Sequence, residues 1–290
     1  MAISSGFPLD IVFSDNSVMN SNPIGIFDSG LGGLTVWREV RRLMPGEDIV
    51  YFADSLHCPY GHKPVDKIID LTRGITDFLL GKFGCKLIVV ACNTATAAAI
   101  DTLRSEYDVP FVGMEPAIKQ AALHTKTGVV GVLATKGTFD GRLYKATSEK
   151  YAQGIEVLVQ VGDGLVELVE SNKINSPEAD SLLKKYVRPM VDSGADQIVL
   201  GCTHYPFYKT QIEAIAGAEV AVIDPAPAVA KRAHELLEAG GLLAGNERGT
   251  DLFVSSAETG QMRSLLESTS ALSLADTIVE WNTNKYKALQ

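Results

Sequence analysis

Long hydrophobic runs are missing from this chain of 290 residues. No apolar stretch approaches the roughly 20 residues that a membrane-spanning helix requires, so no membrane association is expected. No secretory leader is expected either: the first twenty residues carry no Lys or Arg, and Asp10 and Asp15 interrupt what would be the apolar centre of a signal peptide. Segment 1–22 is therefore expected to be a flexible N-terminal arm, and the protein cytoplasmic. Cysteine is scarce. Cys58, Cys85, Cys92 and Cys202 form no C-x-x-C pair or regular framework, so neither a disulfide scaffold nor a structural zinc site is suggested. Positive charge is in deficit, with 26 Lys and Arg against 35 Asp and Glu and a net charge of -9. With no basic cluster, such a chain repels a phosphate backbone, and no nucleic-acid partner is expected.

What is present is ordinary globular material, 46% hydrophobic and 21% charged, enough for a buried core. Strand-length apolar runs alternate with helical patterns: 24–27, 49–52, 87–91, 111–113, 129–133, 156–159, 197–200, 220–223 and 252–255. That rhythm predicts α/β architecture with mainly parallel sheets, the strands short and apolar because both faces are covered. Ile68, Leu71, Ile75, Phe78 and Leu79 recur at helical spacing, as do Leu34, Trp37, Val40 and Leu43. Pro116, and Pro225 with Pro227, punctuate the pattern where the chain would cross between two similar lobes. The expected division is 23–115 plus 225–290 for one lobe and 116–224 for the other.

Two segments look like counterparts. KLIVVACNTAT ends an apolar run in Cys92, Asn93 and Thr94; QIVLGCTHYP ends another in Cys202, Thr203 and His204. In open parallel sheets ligands bind beyond the carboxyl ends of strands, where the next helix offers unpaired N–H groups. Those groups, with Asn93, Thr94 and Thr203, could hold a carboxylate. The same field is expected to lower a thiol from about 8.5 towards neutrality. One thiol in each lobe, facing across a cleft, suits removal of an α-proton from one face of a carbon and its return to the other. The alternative is a buried thiol acting as a small hydrophobe, and that reading is assigned to Cys85 and Cys58.

PIGIFDSGLGGLT carries several glycines, but neither G-x-G-x-x-G nor a lysine-bearing phosphate loop is spelled. Asp28 there could steer a thiol or accept from a substrate ammonium; a helix N-cap is the equal alternative. Ser29, Pro59, Tyr60 and Gly61 could build a pocket for a second carboxylate, or form a turn. His204 could assist Cys202, Glu170 could orient His204, and Thr135 and Thr138 could line the cleft or cap a helix.

In their order, IGIFDSGLGGLTV, the PYG loop, VVACNTAT, GVLATKGT and VLGCTHYP resemble the signature of the glutamate racemases over about Pro23 to Gly260. The resemblance implies two α/β lobes with the active site between them, no cofactor, no metal, and D-glutamate made for peptidoglycan. It implies Cys92 and Cys202 as acid and base, Asp28 supporting the first, and His204 with Glu170 supporting the second. Ser29, Pro59, Tyr60 and Gly61 fall on the distal-carboxylate side; Asn93, Thr94 and Thr203 on the α-carboxylate side, with Thr138 nearby. A homodimer is suggested only by the resemblance. The chain departs from the common pattern at Gly162 and Asp163, where a Cys-Pro pair is usual, and at Ser55, Leu56 and His57. Rival readings are an aspartate racemase differing in the distal pocket, a thiol redox or metal-binding protein using Cys92 and Cys202, and a non-catalytic amino-acid binder.

Overall fold

A computed structural model describes residues 21–114, 117–268 and 277–280. The expected arm falls outside these residues except for Ser21 and Asn22, and Pro116 falls outside as well. The strands are β1 Ile24–Asp28, β2 Ile49–Ala53, β3 Leu87–Val90, β4 Phe111–Gly113, β5 Val129–Ala134, β6 Glu156–Val161, β7 Gln197–Gly201, β8 Ala221–Ile223, β9 Asp251–Ser255 and β10 Thr277–Glu280. They form two sheets, β10-β9-β2-β1-β3-β4 and β6-β5-β7-β8. Every pairing within them is parallel.

The first sheet is apolar on both faces. Along β1 and β2, Ile24, Ile26, Ile49 and Tyr51 join a core with Trp37, Val40 and Phe253. The alternate positions Phe27, Val50 and Phe52 join another with Ile75, Phe78 and Leu103. Helices α1 (Leu34–Leu43), α2 (Val65–Phe83), α3 (Asn93–Glu106) and α10 (Ala226–Ala239) belong to this part of the chain. Helix α2 ends because Gly84 turns left-handed at φ 60° and donates back to Leu80, a conformation that costs glycine little. Of the expected apolar positions on α1, Leu34, Trp37 and Val40 are buried, whereas Leu43, the last residue of the helix, is exposed.

The second sheet is smaller. Leu133, Ile198 and Leu200 pack under α8 (Pro177–Asp192), where Leu183 and Val187 lie, and Val130, Val132 and Val199 face α4 (Ile118–His124). Ser176 caps α8 by accepting from Ala179 N–H at 3.2 Å, and Pro177 takes the first helical position. Helices α5 (Lys136–Asp140), α6 (Arg142–Tyr151), α7 (Leu165–Glu170) and α9 (Lys209–Ala216) complete this part, and α11 (Gly260–Ser268) follows β9. The expectation of strands covered on both faces fails for β6 and β8, which are half exposed. They are the edges, with a neighbour on one side only. The sequence reading had no counterpart of β10, at the other edge of the six-stranded sheet. Pro225 and Pro227 do not merely punctuate the chain: they open α10, with Pro225 already in helical geometry. Among the described residues no helix is long and apolar enough to cross a membrane.

Candidate active site

Both sheets present their carboxyl ends to the same region, and the side chains there bridge the two. Asp28, fully buried at the end of β1, accepts from Gly30 N–H at 2.9 Å and from Thr203 Oγ1, beyond β7, at 3.0 Å. It does not cap α1, whose cap position is Gly33 without a side-chain bond. Burial raises the Asp28 carboxyl above its usual range, with His204 and the two hydrogen bonds opposing.

The glycines of this loop admit side chains from the other sheet. A Cβ at Gly32 would lie 2.6 Å from His204 Cε1 and from Thr203 Oγ1, and one at Gly30 would lie 2.9 Å from Cys58 Sγ and collide with the Glu170 carboxylate. The loop is shaped for close approach of Glu170 and His204, and a phosphate-binding role has no support in it.

Cys92 lies just beyond β3 and caps α3, its sulfur accepting from Ala95 N–H at 3.4 Å. The thiol donates to Ser29 Oγ at 3.7 Å. Its expected lowering is reversed: burial, then the nearby Asp28 charge, push it up to about 12 against the opposing Ala95 and Ser29 hydrogen bonds. Desolvation of a fully buried thiolate outweighs the helix terminus. Cys202 sits at the end of β7, 3.7 Å from His204 Nδ1. A turn and the 3₁₀ segment Tyr205–Tyr208 separate it from α9, so its support comes from His204 where a helix terminus was expected.

His204 is buried, and its Nε2 meets Glu170 Oε1 at 2.6 Å. Burial disfavours its charge, yet contacts with Cys202, Cys58 and Glu170 lift it well above the ordinary histidine value. Glu170, the last residue of α7, also accepts from Leu31 N–H at 2.6 Å. The thiols of Cys92 and Cys202 are near enough for the second to raise the first electrostatically.

Asn93 is the outlier. It is 3% exposed, and neither atom of its side-chain amide has a hydrogen-bond partner. Leaving such a group unpaired costs about 1–3 kcal/mol, and the amide therefore marks a place for a polar ligand. Beside it Thr94, Thr135 and Thr138 form a hydroxyl relay at 2.9 and 3.0 Å. Thr138 reaches Gly201 O at 3.3 Å, and Thr135 caps α5. Gly61 O accepts from Gly137 N–H at 3.2 Å, pinning the PYG loop to that relay. Pro59 and Gly61 line a small cavity with Thr135, Gly162 and Tyr205. Tyr60 is buried, its hydroxyl spent on Asp54 Oδ2 at 2.6 Å.

Several participants had no signal in the sequence. Asp54 also accepts from Ser256 at 2.8 Å and meets His57 Nδ1 at 2.8 Å, so the departure at His57 is a hydrogen-bond partner of that carboxylate. Cys58, expected to be inert packing, does pack against the core of the second sheet, but it is only half-buried and its sulfur lies within 4.8 Å of ligand atoms of Glu170 and His204. Gly162, the other departure, leaves room for Tyr205, whose ring carbon Cζ would lie 2.9 Å from a Cβ there. The Tyr205 hydroxyl donates to Gly162 O at 3.0 Å.

The carboxyl ends of two parallel α/β sheets thus each present a buried cysteine, one beside a carboxylate and one beside a histidine–glutamate pair. Comparison with known proteins places the chain among the racemases. The chain matches the Asp/Glu/Hydantoin racemase family over residues 34–233. It is 48% identical over 228 residues to the glutamate racemase of Roseiflexus sp. strain RS-1, covering 78% of this chain and 84% of that protein. Its structure is similar to glutamate racemase isoform RacE1 of Bacillus anthracis, with TM-score 0.81, 30% identity and 90% and 98% of the two chains covered. It is also similar to the Francisella tularensis glutamate racemase in complex with D-glutamate, with TM-score 0.79, 28% identity and 91% and 99% covered. The chain belongs to the Asp/Glu/Hydantoin racemase family, grouping with its glutamate racemases, and is an isomerase.

Proposed function

We propose that this enzyme interconverts L-glutamate and D-glutamate without a cofactor, using Cys92 and Cys202 as proton carriers on opposite faces of the α-carbon. The observation that carries this reading is the pairing of two buried thiols with different supports, Ser29 and Asp28 beside one and His204 with Glu170 beside the other. In one direction a thiolate takes the α-proton and leaves a planar carbanion; the opposite thiol gives its proton to the other face. The two thiols end with their protonation states exchanged. A thiol raised by burial is a strong base once ionised, which narrows the gap to a weakly acidic C–H bond. His204, held well above the ordinary histidine value, supplies positive charge beside Cys202.

Asn93, Thr94 and Thr203 are assigned to the α-carboxylate, the unpaired Asn93 amide supporting the assignment. Ser29, Pro59, Tyr60 and Gly61 are assigned to the distal carboxylate, and Thr138 to the wall between them. Tyr60 acts here through its ring and backbone, its hydroxyl being held by Asp54. The site lies between lobes 23–115 plus 225–290 and 116–224, a division supported by the membership of strands in the two sheets. The product serves peptidoglycan synthesis in the cytoplasm. A homodimer, which light scattering would read, belongs to the same proposal and rests on the resemblance alone.

The test is incubation of either enantiomer in D2O with chelator and no added cofactor, following optical rotation and α-deuterium by NMR. Loss of rotation with deuterium entering the inverted product is expected. A folded, reduced protein that neither inverts nor exchanges would overturn the proposal, and a preference for aspartate would transfer it to that substrate.

A further inference from the structure

Cys58, Glu170 and His204 reach one point from three separate places: the turn before Pro59, the end of α7 and the turn after β7. Among the described residues they are the one group of His, Cys, Asp and Glu whose ligand atoms all lie within 4.8 Å of one another. The proton chemistry described above uses Glu170 and His204 but leaves Cys58 without a task. Cys58 is also the least buried of the four cysteines, so an ion from solvent can reach it, unlike Cys85.

We propose that Cys58, Glu170 and His204 form a binding site for a thiophilic divalent cation of the zinc type, and that its occupancy inhibits the enzyme. Sulfur, nitrogen and oxygen from three side chains, with a fourth position left to water, is a donor set zinc accepts. Bonds of about 2.0–2.3 Å in a tetrahedron place ligand atoms about 3.3–3.8 Å apart. The three atoms are already nearly that close, and the present 2.6 Å between His204 Nε2 and Glu170 Oε1 has only to open by about 0.7 Å to match that spacing. The ion displaces the proton shared by that pair and the proton of the Cys58 thiol, both passing to solvent. Inhibition follows because His204 and Glu170 are then withdrawn from Cys202; this consequence rests on the racemase reading, whereas the binding does not.

The test uses the full chain, reduced and freed of thiol and chelator. Zinc chloride is titrated by calorimetry, and cadmium chloride is followed by the ultraviolet charge-transfer absorption of a cadmium–thiolate bond. One equivalent is expected to bind. Cys58→Ser and Cys58→Ala should lose the absorption band and weaken zinc by about tenfold or more, while Cys202→Ser keeps both. No binding to the wild type, or a band that survives Cys58→Ser and vanishes in Cys202→Ser, overturns the site; circular dichroism establishes that each variant is folded. In parallel, zinc should suppress glutamate turnover reversibly in the wild type and far less in Cys58→Ser. A protein without turnover removes the racemase reading, and the cadmium band still decides the site.

Discussion

Glu170→Gln removes one charge while keeping shape and an acceptor. In the wild type Glu170 Oε1 receives hydrogen bonds at 2.6 Å from Leu31 N–H and from His204 Nε2, tying the loop after β1 to the turn after β7. Hydrogen bonds to an ionised carboxylate contribute about 1.5–3 kcal/mol, against about 0.5–1.5 for a neutral acceptor. The Glu170 side chain is 19% exposed, which places both bonds towards the lower ends of those ranges. A difference of about 1 kcal/mol per bond gives a loss of about 2 kcal/mol. With a urea slope of about 2 kcal/mol/M, the unfolding midpoint should fall by about 1 M.

The pH dependence of that loss carries a second check. His204 is raised in the folded state, so its contribution is complete below the unfolded value of about 6.5 and is lost as pH rises through the folded value. Urea unfolding by circular dichroism at about pH 6 and about pH 9 should show that decline in the wild type and a flatter response in Glu170→Gln. Equal midpoints for the two proteins at the lower pH would refute the coupling of Glu170 to His204. Kinetics add a constraint: the enantiomers have equal free energy, so kcat/KM must fall by the same factor in both directions, while the two kcat values are free to differ.

Other expectations follow from the same geometry. Cys92→Ser and Cys202→Ser should each lower racemisation by about 100-fold or more, the range of a lost general acid or base; optical rotation reads this, and full activity in either would sink the two-thiol scheme. Asn93→Ala should raise KM yet stabilise the free protein by about 1 kcal/mol, because it deletes an unpaired buried amide; a loss of stability in thermal unfolding would show that the amide is already satisfied. Cys92 at about 12 should alkylate slowly at neutral pH and faster as pH rises, read by mass spectrometry of digests, and rapid modification at neutral pH would contradict its burial. Gly32→Ala should depress turnover and melting temperature together, because the new methyl meets His204 and Thr203; wild-type kinetics would mean the loop yields freely.

Much of the fold was legible because parallel strands covered on both faces are written as short apolar runs, and nine of them stood out. The tenth, Thr277–Glu280, did not: an edge strand needs apolar neighbours on one side only, and TIVE in a polar tail carries little periodic signal. Edge position likewise left β6 and β8 half exposed, although their sequences resemble the central strands. The cysteine segments were readable because each follows an apolar run. The glycines of the β1 loop were not, since their reason is a histidine and a glutamate far along the chain.

The sequence by itself determined the α/β alternation, the placing of Cys92 and Cys202 beyond strand ends and, through its ordered motifs, the racemase family. Local pattern suffices where the cause is local: periodicity, a turn residue, a run of branched side chains. Tertiary structure alone decided that Cys92 is raised, that Asp28 is held by Thr203 rather than capping α1, and that Cys58 stands beside His204. These depend on depth of burial and on partners separated by more than a hundred residues, and neither desolvation nor a long-range contact leaves a spacing in the chain.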